Sequence, residues 1–484
     1  MSLKNMVYGN GVLAEKGIPT TEIDEEELFE LIRAEFCHPS ERDKYLMELQ
    51  RTGLNKKPLG VPPNFNPDKL SSVGWGIIWA PEPLTATEEA VKQALTDLIE
   101  YRAQQMCELQ PRHFHYRENW DFDDFLYDEG RRIEPGDMNP AVVPYYICIV
   151  GSPERIPWEF QQYLDSEYAV GRLWFDDPED CKKYVRHLLS YESAVEAPRT
   201  SRDVLFVGTR HEGDRSTENS AARLVEPLYD WLSKGQEFKF NTSLLSGERS
   251  EGGAYKTQLL ERLKRDDGTG ARQVRPSLLF TAGHGLEFEK GSPEQTARQG
   301  ALICQEWPGW FVPPQPDQFL AADDINEGVD LRGMIAFCFA CFSAGTPQKE
   351  DWVRPTLFRK PKQIANEPFM ARLPQKMLAN GLLAFVGHVS KAWESSFLGL
   401  QGNSQHLGGF YATIGELLRG RPVGHATDYM NQRWVRMNLQ LDKWMARNDK
   451  SKEEIITLWQ ARNDIRGYAV LGDPATRLKV EHLQ

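Results

Sequence analysis

Short apolar runs alternate with amphipathic segments along most of this chain. Six of the runs are too short for a helix and are typical of buried strands: 204–208, 238–245, 278–282, 334–341, 382–387 and 468–472. Amphipathic segments at 220–232 and 254–264 separate the first three runs and predict helices. Strands alternating with helices of this length pair in parallel through right-handed crossovers. The pattern therefore predicts an α/β fold with a mostly parallel sheet.

A smaller α/β subdomain is predicted upstream of these strands. Its elements are strands at 73–80, 142–150 and 173–175 and helices at 85–105 and 178–194, with a loop at 111–140. The chain thus divides into an N-terminal extension (1–70), a first α/β subdomain (71–200) and a main α/β domain (201–484). The extension contains two amphipathic helix candidates, at 25–33 and 41–51. We expect it to pack against the rest, with a regulatory, partner-binding arm as the alternative.

Composition and charge narrow the function classes. The chain has 484 residues, a hydrophobic fraction of 40% and a net charge of −13, which is typical of a soluble protein of two or three domains. The acidic balance argues against a nucleic-acid partner. No run approaches the ~20 apolar residues that cross a bilayer, and residues 1–21 lack the layout of a signal peptide. We therefore expect no membrane association and a cytoplasmic location.

The cysteines indicate neither a disulfide framework nor a metal site. They are scattered and odd in number: Cys37, Cys107, Cys148, Cys181, Cys304, Cys338 and Cys341. A single C-x-x-C pair without a second pair is a poor zinc site, and a reducing compartment suits unpaired thiols. We expect no metal and no cofactor.

Two residues with catalytic chemistry stand where predicted strands end. His284 follows strand 278–282, and Cys341 ends strand 334–341. Ligands bind at the carboxyl ends of parallel strands, so both side chains are expected at one cleft. A thiol nucleophile needs a group that takes its proton and returns it to the leaving amine, and imidazole does both near neutral pH. Main-chain N–H groups of Gly285 and Cys341 are the expected oxyanion donors.

Each residue alone has a simpler explanation. A single histidine at a strand end is commonly a surface or core residue, and a single cysteine is commonly a small buried apolar side chain. Their joint position favours a dyad. Cys338 lies inside the apolar run, where a thiol keeps its proton, whereas Cys341 lies where the run meets Ser343, Ala344 and Gly345. Cys341 is therefore the expected nucleophile and His284 the acid and base.

These motifs resemble a known family. Segments 281–285 (TAGHG) and 340–345 (ACFSAG) are similar to the His-Gly and Ala-Cys motifs of caspase-like cysteine peptidases of the gingipain and CHAT-domain type. Further similar motifs occur in the family's order: 146–151, Asp165 with Tyr168, 171–172, 381–387 with Trp393, and the Gly-Asp-Pro of 472–474. The resemblance implies a caspase-like (caspase-hemoglobinase) sandwich, with a mostly parallel six-stranded sheet between helices.

The resemblance also implies an activity. The expected function is a cysteine endopeptidase that cleaves protein substrates through an acyl-thioester, acting in a bacterial stress or defence pathway. Trp393, Phe339 and Ala340 are expected at the substrate cleft. Glu154 and Glu159 are the candidates for an acid that orients the histidine. In this family setting Asp165 is the candidate for a carboxylate that recognises a basic substrate side chain.

Several alternatives remain at the level of sequence. If Asp165 only makes local contacts, the specificity pocket is apolar rather than acidic. The fold also supports two other functions: a catalytically silent interaction module, and a thiol amidase that acts on small molecules. The presence of both His284 and Cys341 counts against the first, and the long loops after His284 count against the second.

Overall fold

The structure is a computed structural model that describes residues 6–8, 10–20, 22–37, 61–128, 138–193, 201–247, 252–264, 275–350, 361–398 and 406–483. Within these ranges the strands, in chain order, are β1 (Met6–Tyr8), β2 (Gly11–Leu13), β3 (Ile18–Pro19), β4 (Glu22–Asp24), β5 (Trp75–Trp79), β6 (Arg112–His115), β7 (Tyr146–Val150), β8 (Ala169–Leu173), β9 (Asp203–Gly208), β10 (Asn241–Ser246), β11 (Leu278–Ala282), β12 (Gly285–Glu287), β13 (Leu302–Ile303), β14 (Phe319–Leu320), β15 (Ile335–Phe339), β16 (Gly345–Thr346), β17 (Phe369–Met370), β18 (Ala384–His388) and β19 (Tyr468–Gly472).

The α-helices of the described residues, in chain order, are α1 (Glu25–Cys37), α2 (Leu70–Val73), α3 (Ala86–Ala94), α4 (Thr96–Met106), α5 (Phe122–Tyr127), α6 (Trp158–Leu164), α7 (Pro178–Glu192), α8 (Arg215–Ser220), α9 (Glu226–Lys234), α10 (Lys256–Leu263), α11 (Gln295–Arg298), α12 (Arg372–Ala379), α13 (Gly408–Leu418), α14 (Val423–Arg447) and α15 (Lys452–Arg466). None of these helices is long and apolar enough to cross a membrane.

One ten-stranded sheet contains most of the core strands. Its order is β10-β9-β11-β15-β18-β19-β8-β7-β5-β6. The first five strands in this order are parallel to one another, and β19 is antiparallel to β18. These first six strands are the six that the hydrophobic pattern predicts. The predicted α/β class with a mostly parallel sheet is therefore confirmed, and the six predicted strands form one part of a ten-stranded sheet.

The remaining four strands continue the same sheet beyond β19, and they run parallel to β19 and antiparallel to the first five strands. β8 is parallel to β19, and β7, β5 and β6 follow in parallel. β6 lies in the segment predicted to be a loop. Only Phe114 of its four residues is buried, so this edge strand lacks the apolar run that marks a central strand. β8 begins at Ala169, earlier than the predicted start at residue 173. The prediction misses this start because the buried Arg172 interrupts the apolar pattern.

A buried ion pair joins the two halves of the sheet, which are the six strands from β10 to β19 and the four strands from β8 to β6. Asp473 directly follows β19 and is fully buried. Its carboxylate accepts hydrogen bonds from Arg102 Nε on α4 at 2.7 Å and from Trp75 Nε1 on β5 at 3.0 Å. Arg102 also binds both carboxylate oxygens of Glu192 on α7, at 2.6 and 2.7 Å. The Gly-Asp-Pro motif thus attaches the last strand of one half to helices of the other.

The N-terminal arm, which we define as the described residues from 6 to 37, lies against the main body. β1 pairs with β4 within the arm, and β2 adds to the edge of β12 in a separate five-stranded sheet. Helix α1 begins where the sequence predicts one, and the second predicted helix, at 41–51, lies outside the described residues. Glu35 on α1 binds Arg462 at 2.8 Å and Trp459 at 2.7 Å on α15. The arm is therefore attached at both its strand and its helix.

Removal of the Asp473 carboxylate should destabilise the protein strongly. Asp473→Ala leaves the buried Arg102 and Trp75 donors without one of their acceptors, and breaking a buried ion pair costs about 3–5 kcal/mol. The matched control is Asp230→Ala, which removes an exposed carboxylate paired with Lys234 and should change the free energy of unfolding by less than about 0.5 kcal/mol. Chemical denaturation measures both. An equal, small effect of the two substitutions would contradict a junction held by Asp473.

Candidate active site

The histidine and the cysteine leave neighbouring strands at matching positions. β11 and β15 are parallel, and Ala282 lies opposite Phe339 in their register. His284 follows Ala282 by two residues, and Cys341 follows Phe339 by two residues. Because parallel strands end at one edge of a sheet, both side chains emerge at the same edge.

The main chains of the two segments touch just beyond the strands. A β-carbon placed on Gly285 would lie 1.9 Å from the carbonyl oxygen of Cys341, far inside van der Waals contact. Only glycine fits at this position. The main chains of Gly285 and Cys341 are therefore in direct contact.

The carboxylate that contacts the histidine is Asp214. Its Oδ2 lies 2.6 Å from His284 Nε2, and both side chains are buried. Asp214 follows β9, the next strand along in the sheet, and is the N-cap of α8. There it accepts hydrogen bonds from the Ser216 N–H at 3.1 Å and the Thr217 hydroxyl at 2.8 Å. These bonds fix the carboxylate, which in turn orients the imidazole.

Neither predicted orienting acid lies at this position. Glu159, on α6, accepts a hydrogen bond from Tyr163 at 3.4 Å. Glu154 lines surface cavities together with residues such as Trp174 and Pro157. The carboxylate beside His284 is Asp214 instead of either glutamate, and the sequence contains a signal for this residue. Strand 204–208 ends at the same edge as the other two, and the segment after it pairs an N-cap aspartate with an early glutamate, Glu218.

Burial and pairing act in opposite directions on this pair. Burial lowers the pKa of His284, but the charge and hydrogen bond of Asp214 outweigh it, and the pKa is raised above its ordinary value. Burial raises the pKa of Asp214, but His284 outweighs it, and that pKa is lowered. Because Nε2 faces the carboxylate, it carries the hydrogen of the neutral ring. Nδ1 is the buried ring nitrogen that does not face Asp214, and a hydrogen bond to the Asn10 main chain raises the pKa of His284 further. Nδ1 is therefore the nitrogen left to act as a base.

The Cys341 thiol is held by a third segment. Its Sγ accepts a hydrogen bond from the Ala392 N–H at 3.2 Å, and the Ala392 carbonyl oxygen lies 3.8 Å away. Burial raises the pKa of the thiol to about 12, against the opposing effects of the Ala392 N–H and the Lys391 ammonium. With an exposed fraction of 0%, the sulphur is covered and protonated in this state.

Cys338, the alternative thiol, lies inside the sheet. It is in the middle of β15, with an exposed fraction of 0%, and pairs in register with Thr281 on β11. Burial raises the pKa of this thiol to about 12 as well. The two thiols differ in position, since only Cys341 lies beyond the strand end, beside Gly285.

Two tryptophans of the long loop after β13 surround the histidine. Trp310 packs on the His284 ring at a centroid distance of 5.1 Å, and Trp307 lies edge-on at 6.0 Å. Trp307 is fully buried and donates to the Val312 carbonyl at 2.7 Å. The loop thus shields the imidazole from water and strengthens its interaction with Asp214.

The predicted substrate-binding residues have different surroundings. Ala340 lines a small cavity with His284. Phe339 is fully buried and packs edge-on against Phe397 at 5.5 Å, as a core residue does. Trp393 is one residue after Ala392, is buried, and clusters with apolar side chains of α1 and α15. Of the three, Ala340 and Trp393 are next to the dyad segments.

Asp165 occupies a buried position. It is the C-cap of α6, is buried, and accepts a hydrogen bond from the Val170 N–H at 3.1 Å. Burial raises the pKa of this carboxyl well above its usual value. Arg172 bonds instead to Gln161 and to main-chain carbonyls. Asp165 thus makes local contacts, which is the condition that the alternative of an apolar specificity pocket sets.

This chain is similar to known proteins in sequence and in structure. The family model of peptidase family C25 matches residues 144–479. No curated protein matches. Among solved structures, one described as "Structure of Protease" is 13% identical, with a TM-score of 0.47 and coverage of 86% of this chain and 79% of that chain.

Two structures of the Saccharomyces cerevisiae separase-securin complex are also similar to this chain. Each is 14% identical, and the match covers 92% of this chain and 22% of that chain, with TM-scores of 0.33 and 0.31. This chain thus spans about a fifth of the length of the chain that it matches there.

The family model covers every strand of the ten-stranded sheet except β5 and β6, and it includes His284, Cys341 and the Gly-Asp-Pro segment. The chain therefore belongs to peptidase family C25, the gingipain family of caspase-like cysteine peptidases.

Proposed function

We propose that His284 and Cys341 are the catalytic dyad of this cysteine peptidase, with Asp214 as the positioning residue. The observation that carries the proposal is the convergence of three adjacent strand ends, from β9, β11 and β15, on one buried His–Asp pair and one thiol. The contact between Gly285 and the Cys341 backbone supports the roles of their N–H groups as oxyanion donors.

Both half-reactions of the proposed mechanism use these positions. His284 Nδ1 takes the thiol proton while Sγ bonds to the carbonyl carbon of the scissile peptide. The imidazolium that forms is stabilised by Asp214. Nδ1 then returns the proton to the leaving amine, the C–N bond breaks, and the acyl group stays on Cys341 as a thioester. A water molecule, deprotonated by the same nitrogen, hydrolyses the thioester and releases the acid.

The substrates proposed are proteins or peptides, since this is the chemistry of the family. A role in a bacterial stress or defence pathway, a cytoplasmic location and a regulatory protein partner all stay predictions of the sequence. The silent interaction module and the thiol amidase are outcomes of the first experiment below.

Substitution of the two thiols should separate catalysis from structure. A peptidyl acyloxymethyl ketone should label the protein, and Cys341→Ala should abolish labelling. Cys338→Ala should retain it within about threefold, because its thiol is enclosed in β15. Intact mass over several hours measures the adduct. Absence of any adduct in the parent chain would favour the silent module, and labelling without cleavage of any peptide in a library would favour the amidase.

Loss of the Asp214 charge should change the pH profile in a defined direction. The pKa of His284 is raised by Asp214, and the ring must be neutral to accept the thiol proton. In Asp214→Asn the pKa of His284 falls, so the acidic limb of kcat/KM should move to lower pH. The plateau should fall about 100-fold, since the imidazolium loses its partner.

The control for this experiment is Asp230→Asn, which removes an exposed carboxylate and should change neither the limb nor the plateau. A lower plateau with an unmoved limb would show that Asp214 acts on structure alone.

A further inference from the structure

A segment of the chain itself lies across the proposed dyad. The Asn10 carbonyl oxygen accepts a hydrogen bond from the Gly285 N–H at 3.4 Å, and the Asn10 N–H donates to the Ala392 carbonyl at 3.0 Å. Gly285 supplies the expected oxyanion donor, and Ala392 is the residue whose N–H holds Cys341 Sγ. The main chain of Asn10 is therefore fixed on both sides of the sulphur.

The next residue passes directly beside the nucleophile. A β-carbon on Gly11 would lie 3.4 Å from Cys341 Sγ and 2.6 Å from Thr20 Oγ1. The close contact is with Thr20 of the arm itself, and the β-carbon would just touch the sulphur, so a larger side chain here would meet both. The Asn10–Gly11 peptide thus has its carbonyl at an oxyanion donor and its glycine at the thiol, which is the arrangement of a scissile bond.

The Asn10 side chain is enclosed at this site. Its exposed fraction is 2%, and its Nδ2 is buried without a hydrogen-bond partner among the described residues. An uncharged side chain is therefore favoured at this buried position, since a buried charge in the same place would need a paired partner.

The residues after Gly11 bind as an added strand. β2 (Gly11–Leu13) runs parallel to β12 (Gly285–Glu287), and the Ala14 N–H donates to the Glu287 carbonyl at 2.8 Å. Val12 is fully buried in an apolar cluster with Leu286. Extended peptides commonly bind proteins by adding a strand to an exposed edge, with main-chain hydrogen bonds for affinity and pockets for alternate side chains.

The same arm closes the site. Cys341 and His284 have exposed fractions of 0% and 1%, and Leu28 and Ile32 of α1 pack in one cluster with Trp393. Another peptide reaches the thiol only after residues 10–20 have left the cleft.

We propose that Asn10 to Leu13 occupy the substrate cleft as a tethered substrate, with Asn10 on the amino side of the scissile position and Gly11 on the carboxyl side. The preferred substrates are then peptides with an uncharged carboxamide before the scissile bond and glycine after it, rather than a basic residue before it. The inference rests on the proposed dyad and goes beyond it by naming the substrate class.

The test uses four peptidyl acyloxymethyl ketones that differ only in the residue next to the ketone: Asn, Asp, Lys or Leu. They are applied to the full chain, to Glu35→Gln, which loosens α1 from α15, and to Gly11→Val, whose branched side chain would collide with Thr20 of the arm and with Cys341 Sγ. The matched control is Glu30→Gln, an exposed glutamate on the same helix that pairs with Arg33.

The expected result is labelling of Cys341 that is fastest with the Asn ketone. Labelling should be about tenfold faster in Glu35→Gln and Gly11→Val than in the parent chain, which corresponds to binding of the arm that is weaker by about 1.4 kcal/mol. The labelling rate of Glu30→Gln should equal that of the parent chain. A cut between Asn10 and Gly11 in the parent chain that is absent in Cys341→Ala would also support the proposal. Faster labelling with the Lys or Leu ketone, or equal rates in all variants, would overturn it while the dyad stands. No labelling with any ketone in any variant would instead refute the dyad.

Discussion

The contact between two main chains, at Gly285 and the carbonyl of Cys341, is the constraint on which the site depends. No side chain fits between them, so the loop that carries the histidine and the loop that carries the thiol cannot separate without losing this contact. Phe342, the residue after Cys341, has φ of 57°, a left-handed conformation that bulky residues seldom adopt. Its N–H donates to the Ser390 carbonyl at 2.7 Å, which helps to hold this conformation. Local strain of about 1–2 kcal/mol is thus retained next to the sulphur.

The sequence predicts the six strands of the main sheet and the positions of His284 and Cys341, because buried parallel strands are continuous apolar runs and both residues stand at their ends. It does not predict β6, whose edge position leaves three of its four residues exposed. Its signal for Asp214 is weak, because the position of this residue depends on α8, a short polar helix without apolar periodicity. The place of Asn10 depends on a contact with a segment almost four hundred residues away, Ala392, which no local pattern encodes.

The Gly-Asp-Pro segment has a structural reason that the motif alone does not reveal. Asp473 accepts from Arg102 and Trp75, so one carboxylate positions a helix and a strand of the first half against the last strand of the second. Its neighbour Tyr184 receives the Asp473 N–H at 2.9 Å and donates to the Leu383 carbonyl at 3.1 Å. Leu383 directly precedes β18, which continues to His388 and then to the segment around Ala392. The junction between the halves therefore also positions the strand that leads to the thiol.

Helix α15 contacts both the N-terminal arm and the segment beside Cys341. Arg462 on this helix binds Glu35 of the arm, and two residues later the buried Asp464 accepts the Trp393 N–H at 2.5 Å. The Asp464 carbonyl also accepts from His388 at 2.8 Å, at the end of β18. A movement of α15 would act on the arm and on the backbone beside the sulphur at the same time. Helix α15 is therefore the one element of the described residues that is hydrogen-bonded both to Glu35 of the arm and to Trp393, next to the residue that contacts the sulphur.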